Sequence, residues 1–126
     1  MAWSPDADQA LLCVALLARD ADGVVHPDET RFIAERLHAP KERLGLEGEL
    51  AAVGMLARAL RTTGLEGTVA MLRKALEPRA NEAVELAFRV ALSDQDLDPR
   101  ETALVEMMAA QFGLGPDALQ AILRAG

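Results

Sequence analysis

The chain has 126 residues, a formal net charge of −7 and a 51% apolar share, so one domain with one hydrophobic core accounts for its length. The acidic balance argues against nucleic acid, whose phosphates need a basic face, and no apolar run approaches the roughly 18–20 residues of a membrane span. With three Phe, one Trp and no Tyr, packing falls to Ala, Leu, Val and Met, which favours close-packed helices over sheets.

The elements read as helices from end to end. Ser4 and Pro5 supply a cap and a first helical residue, predicting a helix from Pro5 to about Arg19. Leu11, Leu12 and the run from Val14 to Ala18 make it apolar on nearly all faces, the mark of a central buried helix. Leu16, and Phe88 at the matching place later in the chain, are expected in the core. Pro27 opens a second helix that Pro40 should stop near His38, and residues 41–46 have room for one extra turn. A third helix over 47–61 carries Leu50, Val53, Leu56 and Leu60 as one stripe, with Gly64 beyond its end. Leu65, Val69, Leu72 and Leu76 set a fourth helix, ended by Pro78. The fifth, roughly 80–92, repeats the buried character of the first. Pro99 starts the sixth, Gly113 and Gly115 end it, and Pro116 begins a short last helix with Leu119, Ile122 and Leu123. The expectation is an all-α, single-domain bundle of about seven helices spanning 1–126.

Charge is unevenly spread. Residues 1–40 carry seven acids and three bases, 41–79 five acids and seven bases, and 80–126 eight acids and three bases. The acidic ends suit a cation or a basic partner surface. A single Cys13 excludes an internal disulfide and a cysteine-cluster metal site. The opening residues lack the positive region of a secretory signal. A cytoplasmic location is therefore expected.

The chain also states one motif twice. Asp22-Gly23-Val24-Val25-His26-Pro27-Asp28-Glu29-Thr30 aligns without a gap on Asp94-Gln95-Asp96-Leu97-Asp98-Pro99-Arg100-Glu101-Thr102, at an offset of 72 residues. Each copy lies between an apolar helix and an amphipathic one, which predicts a pseudo-twofold bundle with 8–38 over 80–110. Helix capping accounts for much of this: Asp98 and Glu101 have capping-box spacing, and first-turn acids gain about 0.3–1 kcal/mol from the macrodipole. Capping does not account for Asp22 and Asp94, five residues before each Pro. Nor does it explain the crowding of Asp94, Asp96 and Asp98, whose like charges repel unless something relieves them.

Oxygen donors at alternate positions fit a hard cation, but not an EF-hand. Counting from Asp94 puts Pro99 where that loop needs Gly and Val105 where it needs Glu. Counting from Asp20 puts Val25 and Arg31 at those places. A different arrangement is open, in which the loop Asp and the helix-start Glu of each repeat face one ion. The candidate metal ligands are Asp22, Glu29, Asp94 and Glu101, with Asp96 and Asp98 auxiliary and Ca²⁺ the first choice among divalent ions.

At these residues the chain resembles the TerB-like tellurite-resistance domain, with the N-terminal region of DjlA-type membrane co-chaperones as a related group. The resemblance covers nearly the whole chain and rests on the doubled motif. It implies an all-α fold of about seven helices, bacterial origin, and a cytoplasmic role in stress response or in metal-linked membrane complexes. It also implies a metal-binding duty for Asp22, Glu29, Asp94 and Glu101. Gln95 departs from the pattern where the first repeat has Gly23.

Nothing in the chain reads as an enzyme. No His is placed with Ser or Cys as nucleophile and base, and the stretch Gly64-Leu65-Glu66-Gly67-Thr68 lacks the Lys of a phosphate loop. Cys13 reads as a core residue and the methionines as gap-fillers. Two readings follow: a non-enzymatic cation-binding domain, or an all-α interaction module whose acidic face binds a basic partner without metal. Membrane association would come through such a partner and not by insertion.

Overall fold

The computed structural model describes residues 6–20, 27–92 and 99–115, with 117, 120, 121 and 124 beyond them; the side chains of 29, 91, 92 and 101 are outside the description. Among the described residues there is no strand. The elements are α1 (Ala7–Asp20), α2 (Pro27–Arg36), α3 (His38–Leu76), a 3₁₀ turn (Glu77–Arg79), α4 (Ala80–Leu92) and α5 (Pro99–Gln111). Among the described residues the all-α class holds but the helices number five and not about seven, and the expected last helix from Pro116 lies largely outside the described residues. The expected extra turn, third helix and fourth helix run together as α3. The chain passes through Gly45 (φ 69°, ψ 173°) and Gly64 (φ 75°, ψ 178°) without an intervening loop. Only glycine takes this backbone without strain, so each is a kink after which the helical ladder resumes.

Local chemistry sets most helix ends. The first helical residue is Ala7, two later than expected, because Asp6 and Gln9 form a reciprocal cap. Asp6 Oδ1 accepts from the Gln9 amide at 2.8 Å, and Gln9 Oε1 accepts from the Asp6 amide at 3.3 Å. Pro27 and Pro99 open α2 and α5 as expected. Pro40 does not stop a helix. It is the third residue of α3, where an amide has no intrahelical partner to lose. Pro78 ends α3 in the 3₁₀ turn that feeds α4. At the far end Gly113, at φ 76°, closes α5 in a Schellman motif: its own amide reaches Ala110 O at 3.2 Å, and Leu114 reaches Ala109 O at 2.8 Å.

The core is built around α1. This helix packs against α3 and α4 and touches α2 and α5, and Ala10 to Ala15, Leu17 and Ala18 are all buried. Small residues where the helices meet, including Ala10, Ala15, Ala52, Ala83 and Ala87, let the axes approach closely. Leu16 and Phe88, expected in the interior, pack on its margin as half-buried side chains. The expected stripe of the third helix is half right: Leu56 is buried and Leu60 packs on the core, but its other two members do neither. Leu50 is 63% and Val53 46% exposed, and the buried residues are Ala52, Leu56 and Ala59. That face goes inward because its alanines accept α1 at close range, with Cys13 Sγ lying 3.9 Å from Ala52 O. Thr68 is fully buried and satisfies its hydroxyl by donating to Gly64 O at 2.7 Å, across the kink.

Several apolar positions related by the 72-residue offset share their burial, though Cys13 and Leu17 are buried where Glu85 and Arg89 are not. Leu12 and Val84, Val14 and Leu86, Ala18 and Val90, Ile33 and Val105, and Leu37 and Ala109 are all buried.

Charge pairs tie the outer helices to this core. Arg43 of α3 donates two bonds of 2.8 Å to Asp8 of α1, Arg79 stands 3.9 Å from the same carboxylate, and Arg36 of α2 meets Glu85 of α4 at 2.8 Å. The hydrogen bond from Arg43 holds the Asp8 carboxyl below the usual carboxylate range, with the charges of Arg43 and Arg79 adding to it against partial desolvation. A depressed folded-state value means the stabilisation is complete above the unfolded value and lost as pH falls through the folded one. Thermal melts between about pH 7 and about pH 2 should show a steeper acid loss for the wild type than for Asp8→Asn. Leu72, fully buried, tests the core itself: Leu72→Ala should cost about 2–5 kcal/mol in urea unfolding.

Candidate functional site

Both acidic segments join helices of the core. Residues 21–26 connect α1 to α2, and 93–98 connect α4 to α5. Asp22, Asp94, Asp96 and Asp98 lie in these segments and outside the described residues. Glu29 and Glu101 are each the third residue of a helix, α2 and α5, and their side chains likewise lie outside the description. Among the described residues, no group of three or more His, Cys, Asp or Glu is placed to hold a metal ion.

The residues next to those segments are described, and two of them share a cavity. Asp20, the last residue of α1, and Arg100, the second of α5, line one space of about 550 Å³. Its walls are Leu17 of α1, Leu60 and Leu65 of α3, and Ala103, Leu104 and Met107 of α5. The cavity is thus apolar in its body, with opposite charges where the acidic segments attach. Gly64 contributes by turning α3 so that Leu65, 43% exposed, faces this space. The Asp20 carboxylate accepts a 2.9 Å bond from Arg19.

A second cavity of about 360 Å³ adjoins the first. Asp20 and Leu60 belong to both, and Thr30, Ile33 and Ala34 of α2 with Val53 and Ala57 of α3 extend the lining. The end of α1 therefore forms a ridge between an apolar hollow and a second one whose lining also carries Arg19, Lys41 and Glu49. Sequence reasoning missed Leu17, Leu60, Leu65 and Met107 as a group because they come from three helices. Asp20 was legible in the sequence, as the head of the first acidic run.

The family model described as "Tellurite resistance protein TerB" matches residues 7–124. The chain belongs to the TerB family. No curated protein and no solved structure matches it. The match runs through both acidic segments and every helix from α1 to α5, so the resemblance seen in the doubled motif holds for nearly the whole chain. No helix among the described residues of this TerB-family chain is long and apolar enough to cross a membrane.

Cys13 takes no part in the cavities. Burial pushes its thiol up to about 12, and its nearest polar contact is the long one to Ala52 O. Such a thiol is inert to soft metals and oxidants while the fold is intact. A thiol reagent at about pH 8 should leave the native protein unlabelled and react only as denaturant opens the core, which mass spectrometry reads directly.

Proposed function

We propose that this chain is a non-enzymatic bacterial TerB-family domain that binds a divalent cation in the cytoplasm and serves tellurite resistance or a related stress response. The ion is held by Asp22 and Glu29 from one repeat and by Asp94 and Glu101 from the other, with Asp96 and Asp98 as auxiliary oxygens. The halves 8–38 and 80–110 are related by a pseudo-twofold axis, a reading supported by the matched burial of several repeat-equivalent positions. The observation that carries the proposal is the shared cavity. Asp20 directly precedes one acidic segment and Arg100 closely follows the other, so both segments attach at one place on the fold.

The donor set is oxygen only, which suits Ca²⁺ or another hard ion over soft metals. Carboxylates brought together repel one another, and a cation between them removes that repulsion. Binding to the folded state alone stabilises it by mass action, about 2.7 kcal/mol at a hundredfold excess over Kd. Calorimetry and thermal melts at fixed ionic strength check this. Ca²⁺ should raise the melting temperature of the wild type beyond the effect of Na⁺, and the Asp22→Asn/Asp94→Asn double variant should lose the increment.

The hollows favour a second reading, an interaction module whose acidic face receives a basic protein partner without metal. Equal melting temperatures in Ca²⁺ and in Na⁺ of the same ionic strength would transfer the function to that reading.

A further inference from the structure

The middle of α3 carries a second apolar face that the described residues leave largely open, walled only in part by the hollow beside α1 and α2. Leu46 is 72%, Leu50 63% and Val53 46% exposed, and Ala57 is exposed too. With half-buried Leu60 they recur at intervals of four and three residues, the seam spacing of a two-stranded coiled coil. The stretch 46–63 lies between the two kinks and has helical backbone throughout. The adjoining face, at Ala52, Leu56 and Ala59, already covers the core, and of the seam residues Leu60 alone also packs against it.

Charge along this helix is bipolar. Glu47 stands seven residues before Gly54 and Arg61 seven after it, on one line beside the apolar seam. Both are exposed, and neither has an ion-pair partner among the described residues. Gly54 lies mid-helix, where glycine is unfavourable, and a Cβ there would meet nothing within 4 Å. The protomer has no use for glycine at this position; a backbone crossing close by would.

We propose that a second copy of this chain docks antiparallel on this face, with the twofold axis level with Met55, one residue beyond Gly54. In that register Leu50 and Val53 fall against Leu60 and Ala57 of the other copy, and Glu47 lies beside its Arg61, twice by symmetry. Parallel pairing puts the two copies of this charged line on opposite flanks of the pair and forms no Glu47–Arg61 contact, so the charges favour the antiparallel form. The contact is about 21 Å long, one helix per copy. One helix per copy makes a contact smaller than the roughly 1,200–2,000 Å² of stable interfaces, so the dimer is reversible and depends on concentration.

Sedimentation velocity of the full chain over a wide concentration range tests the proposal without added metal, which separates it from the cation reading. The wild type should shift from monomer to dimer. Glu47→Arg and Arg61→Glu, each placing like charges across the axis, should weaken the dimer about tenfold or more, and the double exchange should restore it. Leu50→Asp should abolish it, with circular dichroism confirming that this exposed substitution leaves the fold intact. A wild type that stays monomeric up to about 1 mM, or a double exchange no better than the single ones, overturns the proposal.

Discussion

A helix without a solvent face constrains everything else in this protein. α1 buries eight of its fourteen residues, from Ala10 to Ala18, so other elements must surround it. α3 and α4 take the largest shares, and α2 and α5 close the remainder. Burial of this kind is non-directional and scales with apolar area. Direction comes from side-chain size, with alanines where axes approach and leucines where they diverge. Because α1 has no polar flank, its polar duties sit at its ends. Asp6 and Gln9 close its amides, Asp8 anchors Arg43 and Arg79, and Arg19 meets Asp20 at the exit.

The same constraint places the candidate site. A chain leaving a fully packed helix must emerge at its end, so the first acidic segment begins at Asp20. α4, packed on α1, passes the second segment to α5, whose Arg100 lies across the cavity from Leu17. Acid-rich connections are tolerated here because they lie at helix ends, where water, backbone amides or a cation can take their charge. The hollows arise from the geometry of covering α1 with helices that cross it. Between α3 and α5 the covering is incomplete, and Leu60, Leu65 and Met107 are left lining a space.

α3 resolves a conflict between length and curvature. A straight helix of 39 residues would extend about 58 Å, far beyond the 14-residue α1 it covers. The breaks at Gly45 and Gly64 fold that length around α1, so three parts of one element make contacts in different places. At the second break the Gly64 carbonyl accepts the hydroxyl of Thr68 from inside the core. The middle part, held by one face only, keeps its second apolar face outward.

What the sequence determined by itself is everything coded within a few residues. Proline at Pro27 and Pro99 fixed the starts of α2 and α5, 80–92 formed as read, and the aromatic-poor composition with helical periodicity excluded strands among the described residues. The cap at Asp6 was equally local, since its partner Gln9 is three residues away; Ser4-Pro5 drew attention to a start two residues early. The repeated acidic junctions were legible because repetition needs no structure to detect. Pairings between distant residues were not legible, as with Asp8 and Arg43, 35 positions apart, because either charge could have met several others. The phase of α3 was decided only in the folded molecule. Its middle is apolar on two faces, and hydrophobicity favoured the stripe with Leu50 and Val53. The face with Ala52 and Ala59 went inward because α1 needed a surface it could approach closely, and that requirement belongs to the partner helix rather than to α3.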